Sequence, residues 1–221
     1  MVRPISAQTF RTAASASLAN ADNLYMEAKL LADHGHMSRA AALAVIGLEE
    51  FAKAVAYAVA AIFPEKSQGI RDRLIKHDVK HWVANVFEGA QIVTDDWPLI
   101  AFQESGYWPS AKEVLSEIFV ALVRSGLDGL IPNRQKAKAH RQMMKSENRQ
   151  FIPTPYVKDA AFCVDIENGE VLSPSRVNRF AASEIAGLSW YLKYARPLLD
   201  LLSDDGRWKN FTEEIRVRAK S

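Results

Sequence analysis

A chain of 221 residues that is 48% hydrophobic and 24% charged can bury one core without disulfides or metals, so one domain over residues 1–221 is expected. Its formal charge of +2 excludes a polycation that coats nucleic acid over its whole surface, and leaves any such role to a local patch. The lone Cys163 can close no intramolecular disulfide, and the opening MVRPISAQTF lacks the apolar stretch and cleavage site of a secretory signal; both point to a reducing cytoplasm.

Ser6 has the chemistry of an N-cap for a first long helix, whose apolar positions Leu18, Ala21, Leu24, Ala28 and Leu31 recur at three and four and which stops near Gly35. Ser38 is expected to cap a second helix, RAAALAVIGLEEFAKAVAYAVAAIF, ended by Pro64. This helix is apolar almost all round, which marks a central position. Its length, from Ala40 to Phe63, suits a membrane span. Glu49, Glu50 and Lys53 at its middle argue against one, since each charge there costs about 2.5 to 3.5 kcal/mol, so no membrane is expected. A third helix from near Ser67 presents Ile70, Leu74, Trp82 and Val86. TDDWPLIAFQESGYWPS reads as a connection with local turns.

A fourth helix runs from Ser110 with Leu115, Phe119, Leu122 and Val123 inward, loosening at Gly126 and Gly129; Pro132 opens a basic helix, NRQKAKAHRQMMKSEN. The one strand signal is AFCVDIENGEVLSP, where Ala161 to Ile166 and Glu170 to Leu172 flank Asn168-Gly169, a hairpin turn. Ser173-Pro174 then opens a last long helix with Val177, Phe180, Ile185, Leu188 and Leu192 on one face, to be kinked or broken by Pro197. The expected fold is therefore all-α with one small β-hairpin in the C-terminal half, a core over about residues 6–203 and a short amphipathic helix over 205–221.

Two constellations carry chemistry. In Glu49-Glu50-x-x-Lys53 the lysine is four and three residues from the two carboxylates, so one ammonium reaches either. Buried in an apolar helix, such charges must be paired, and a sum of minus one calls for a cation from another helix. His77-x-x-Lys80-His81 on the third helix is the natural source. Histidines four apart also suit a metal, but the glutamate that should follow His77 is Asp78, which points about 100° away. No metal and no cofactor are expected.

The opening with Asn20-Ala21, Leu24, Ala28 and Leu31, then Arg39-Ala40 and ALAVIGLEEFAKA, resembles the AbiV family of bacterial abortive-infection proteins. His77, Lys80 and His81 on the third helix and the segment AFCVDIENGEVLSP are similar to further landmarks of that family; Phe162-Cys163 departs from its usual Leu-Tyr-like pair. The resemblance covers most of the chain, from about Ser6 to the last long helix. It implies an AbiV-like helical bundle related to the HEPN superfamily and a role in antiphage defence, arresting growth by binding a cellular or phage component, with translation or RNA as target. It also implies a homodimer, by analogy with that superfamily.

Many HEPN proteins are metal-independent ribonucleases that use an Arg and a His four to six residues apart, and this is the rival reading. Arg71 with His77 and Arg134 with His140 each have five residues between them. In such a pair a neutral His takes the 2′-hydroxyl proton while Arg stabilises the developing phosphorane charge. An offset of six separates the side chains by about 120° on a regular helix, so convergence needs a helix start or a dimer interface. Arg134, Lys136, Lys138, Arg141 and Lys145 form either a solvated face or a surface for RNA or an acidic protein. The charged cluster on the second and third helices is likewise either a network that fixes helix register or a functional site. A third reading is a helical interaction module without toxicity.

Overall fold

In a computed structural model of the chain, the residues described are 4–67, 70–75, 79–80, 83–84, 86, 110–124, 161, 165–167, 170–172, 174–193 and 195–220. The first helix, α1, spans Ala7–Asp33, and Ser6 caps it by accepting from the Thr9 N–H at 3.1 Å. Its C-terminus closes on two reversed bonds, Gly35 N–H to Ala32 O and His36 N–H to Leu31 O, with Gly35 at φ 81°. This is a Schellman motif, and glycine fits it because the left-handed conformation penalises a Cβ.

The motif also moves the start of the next helix. Helix α2 spans Met37–Ile62 with His36 as N-cap and no side-chain cap bond, so Ser38 is not the cap its chemistry suggests. It lies inside the first turn because the chain re-enters helix as soon as it leaves the αL turn. Pro64 ends α2 as expected: Phe63 is held at φ −128°, ψ 64°, and a 3₁₀ turn over Pro64–Lys66 follows.

The two long helices run antiparallel, with Phe10 stacked on Tyr57 at 6.3 Å, Ala21 beside Gly47, and Ala28 in one cluster with Ala44. Ala14, Ala21 and Ala28, seven apart and fully buried, let the backbones approach closely. A short helix α3 spans Ile70–Leu74, and helical turns at 79–80, 83–84 and 86 set Val79 and Val83 into the main core beside Ile70 and Leu74. Helix α4 spans Ala111–Arg124 and starts at a capping box, Ser110 N–H to Glu113 Oε2 at 2.7 Å and Glu113 N–H to Ser110 Oγ at 3.3 Å. Leu115, Ile118, Phe119 and Leu122 are its buried face.

Strands β1, Asp165–Glu167, and β2, Glu170–Leu172, pair antiparallel with Ile166 opposite Val171. The expected last long helix is three pieces. Pro174–Phe180 is 3₁₀, helix α5 spans Ala181–Leu192, and helix α6 spans Ala195–Ser203. The break falls four residues before Pro197, where its ring would meet the carbonyl of Lys193 in a continuous helix; Pro197 itself sits in the first turn of α6. Leu188 joins the cluster of Ala28 and Ala44, and the Tyr191 ring lies 5.5 Å from that of Phe51, so α5 runs parallel to α2.

The terminal helix α7, Asp205–Arg218, is capped by Asp204 and buries Trp208, Phe211 and Ile215; Phe211 meets Phe119 edge-on at 5.4 Å. Polar ties reinforce the seat. Arg11 Nε donates to Leu202 O at 2.6 Å and pairs with Asp205, Arg216 Nε donates to Ile62 O at 2.9 Å, and Arg218 pairs with Glu117. No helix among the described residues is long and apolar enough to cross a membrane.

Candidate functional site

The charged cluster grows out of the phase of α2. Val45, Glu49, Ala52 and Ala56 share one face and are all buried, so Glu49 occupies a position that its neighbours give to apolar side chains. Its side chain is 4% exposed, and a carboxylate that deep requires a counter-charge. Lys80 supplies it. Its Nζ donates to Glu49 Oε2 at 2.5 Å with the lysine side chain 10% exposed, because Val79 and Val83 anchor that helical turn in the core and Lys80 follows Val79.

Glu50 lies about 100° further round α2. It pairs with Lys53 at 2.5 Å within the same helix, the side chains 15% and 25% exposed, so this half of the cluster reaches solvent. The four residues therefore form two ion pairs, Glu49–Lys80 the more closed and Glu50–Lys53 the more open.

Of the sequence candidates, the structure brings together Glu49, Glu50, Lys53 and Lys80. Arg71 lies on α3 and is exposed. His77, His81, Trp82, Arg134, Lys136, Lys138, His140, Arg141 and Lys145 lie outside the described residues, as do Phe162, Cys163, Asn168 and Gly169. Among the described residues no group of three or more His, Cys, Asp or Glu is placed to hold a metal ion.

Sequence reasoning missed Glu184. Of the expected face, Val177 and Leu188 are buried and Phe180, Ile185 and Leu192 pack partly buried beside them; Ala181 and Tyr191 widen the stripe, and Glu184 falls on it three residues from Ala181 and four from Leu188. Burial pushes its carboxyl up to about 7. The signal was present as the spacing of seven between Ala181 and Leu188, with Glu184 between them on the same face. A separate open cleft between α1 and α6, lined by Leu18, Asp22, Asn23, Arg196 and Leu199, includes none of the charged cluster.

No curated protein and no solved structure matches the chain. The family model for AbiV matches residues 9–186, which takes in α1, α2 and all four paired charges and stops inside α5. With that span matched, the chain belongs to the AbiV family of HEPN proteins.

Proposed function

We propose that this protein is an abortive-infection effector of a prokaryotic cell, working in the cytoplasm as a homodimer and arresting growth by binding a cellular or phage component that serves translation or RNA. The observation that supports this reading is the more open Glu50–Lys53 pair next along α2 to the closed Glu49–Lys80 pair, inside the span that matches the family. A carboxylate and an ammonium held side by side recognise a polar partner surface, and the closed pair ties the same turn of α2 to the third helix. The acting unit is the whole chain, since Trp208, Phe211 and Ile215 of α7 share one apolar cluster with Phe10, Phe51 and Phe119.

The test is expression of the parent and of Glu50→Gln and Lys53→Met in a bacterial host under an inducible promoter, with phage plating in parallel. The parent should slow growth and cut plaque numbers, and the two variants should be folded and lose both effects. Arrest that persists in folded variants would remove the cluster from the site. Purified protein that cuts RNA without divalent metal would favour the ribonuclease reading, with Arg71 or Arg134 and their histidines as the pairs to substitute first. A parent with no effect on growth or plating would leave only an interaction module.

A further inference from the structure

The cleft between α1 and α6 follows from the break in the last long helix. Leu192 ends α5 and Ala195 begins α6, and on the facing wall Ala19 lies one turn before Asn23, so alanines stand where larger side chains would close the gap. Its volume of about 340 Å³ lies at the small end of the range for small-molecule sites. Leu18 is buried on one wall and Leu192 and Leu199 are half-buried on the other, which gives an apolar floor; Asp22 and Arg196 are exposed at its rim. The two charges have a definite placement. Tyr25 Oη donates to Ser189 Oγ at 3.2 Å and Arg11 Nε to Leu202 O at 2.6 Å, so the walls run antiparallel and a residue of α1 meets the one whose number completes a nearly fixed sum. Asp22 is then level with Leu192, and Arg196 with Leu18. The carboxylate and the guanidinium stand on opposite walls, roughly 5 to 6 Å apart along the helix axis. Among the described residues neither makes an ion pair, with the other or with a third group.

We propose that this cleft binds a free α-amino acid with an apolar side chain. Asp22 accepts from the ammonium, and the side-chain carbonyl of Asn23 beside it is a second acceptor. Arg196 donates to the carboxylate, whose two oxygens match its planar fork. The apolar side chain leaves water for the floor of Leu18, Leu192 and Leu199. Charge complementarity selects this class over its neighbours. An anion with no ammonium would bring its charge toward Asp22, and a cation with no carboxylate would bring its own toward Arg196, so the rim disfavours ligands of a single sign. A zwitterion that lacks an apolar side chain satisfies the rim and leaves the floor wet. The cleft shares no residue with the Glu49–Lys80 and Glu50–Lys53 pairs, so the amino-acid site stands or falls apart from the function proposed above.

The experiment is isothermal titration of the parent, Asp22→Asn and Arg196→Gln with L-leucine as the probe, beside leucinamide, N-acetyl-leucine and glycine. Circular dichroism melts check that each protein is folded. The parent should take up one leucine per chain, and its melting temperature should rise with leucine concentration, because the ligand binds the folded chain alone. Each variant should bind leucine about tenfold to a hundredfold more weakly, the loss expected when a charge-assisted contact is removed. Leucinamide, which lacks the anion, and N-acetyl-leucine, which lacks the cation, should lose as much on the parent as the matching variant loses for leucine. On Arg196→Gln, leucine and leucinamide should then bind alike. Glycine, with nothing to place on the floor, should bind about tenfold or more weaker than leucine. Should either variant fail to fold, the analogues on the parent decide: losses for all three support the site, and equal binding of leucine and any one of them overturns it. A parent that takes up no leucine at millimolar concentration overturns the proposal, as does leucine binding that both folded variants leave unchanged.

Discussion

Removing either partner of the Glu49–Lys80 pair should be among the most damaging single changes in this protein. Both side chains are almost wholly buried, at 4% and 10% exposure, and their polar atoms are 2.5 Å apart. Glu49→Met takes the carboxylate away from a buried ammonium and Lys80→Met takes the ammonium away from a buried carboxylate, and breaking a buried pair by removing one partner costs about 3 to 5 kcal/mol. The double substitution removes both charges together with their desolvation penalty, so it should cost less than either single change. In a domain of this size 1 kcal/mol moves the melting temperature by roughly 2 to 4 °C. Each single variant should therefore melt about 6 to 20 °C below the parent, and the double variant should recover a large part of the loss. Urea titration of the four proteins closes the cycle and gives the coupling energy. Single variants within about 1 kcal/mol of the parent, with additive effects in the double, are the behaviour of a solvated surface pair. That result would refute the placement of Lys80 against α2.

Two further outcomes test the packing around the cluster. A Cβ on Gly47 would lie 2.5 Å from Leu188 Cδ2 and 3.5 Å from the Ala21 carbonyl oxygen; Gly47→Ala should therefore destabilise the parent by about 1 to 3 kcal/mol through overpacking, yet in a Leu188→Ala background it should stabilise by up to about 1 kcal/mol through helix propensity, and the same sign in both backgrounds would show that α5 does not cross α2 there. Glu184 has its carboxyl raised from 4.5 to about 7 by burial, so between those values the unfolded chain has released a proton that the folded chain still holds, and stability falls as pH rises through that window and is level above it. At roughly 1.4 kcal/mol per unit, Glu184→Gln should gain about 3 kcal/mol over the parent at pH 8 and little at pH 4; urea midpoints of the two proteins that stay parallel across this range would contradict the burial of that carboxylate.

Much of the fold is legible in the sequence because its helix ends obey local chemistry. Ser6 caps α1, Ser110 caps α4, and Pro64 stops α2, each through groups within four residues. Ser38 misleads because the competing signal, Gly35, acts first and leaves no non-helical residue for a serine cap to occupy. The last long helix misleads for a different reason: Pro197 acts on a carbonyl four residues upstream, so the break precedes the proline, and the 3₁₀ turn over Pro174–Phe180 has the same apolar content as an α-helix would. For the site, charge imbalance on α2 was enough to demand a cation from elsewhere. That Lys80 reaches Glu49 depends on the rotation of the third helix, set by Val79 and Val83 entering the core, a tertiary fact with no local marker; His77 and His81 lie outside the described residues. Glu184 escaped because the expected face, through Leu188, was drawn from large apolar residues alone, and the small Ala181 that extends it past Glu184 carries little local signal.

The adjacent glutamates of α2 cannot serve one purpose, and this separates their phenotypes. Neighbouring residues on a helix point about 100° apart, so Glu49 faces the third helix while Glu50 pairs with Lys53 on a more open side of α2. Glu49 stands in the core, and its loss falls on stability. Glu50 is paired with Lys53 three residues on, their side chains 15% and 25% exposed against 4% and 10% for Glu49 and Lys80, so its replacement by Gln should cost less than that of Glu49. The pair should accordingly divide under the same two assays. Glu49→Gln lowers the melting temperature and reduces growth arrest in proportion to the folded protein that remains, whereas Glu50→Gln melts nearer the parent and reduces arrest beyond that proportion. Folded amount in the cell, read by limited proteolysis of the extract, normalises the first comparison. A Glu50→Gln protein as unstable as Glu49→Gln would mean that the Glu50–Lys53 pair is buried as deeply as the Glu49–Lys80 pair, and would remove the distinction between the closed and the more open pair on which the proposed function stands.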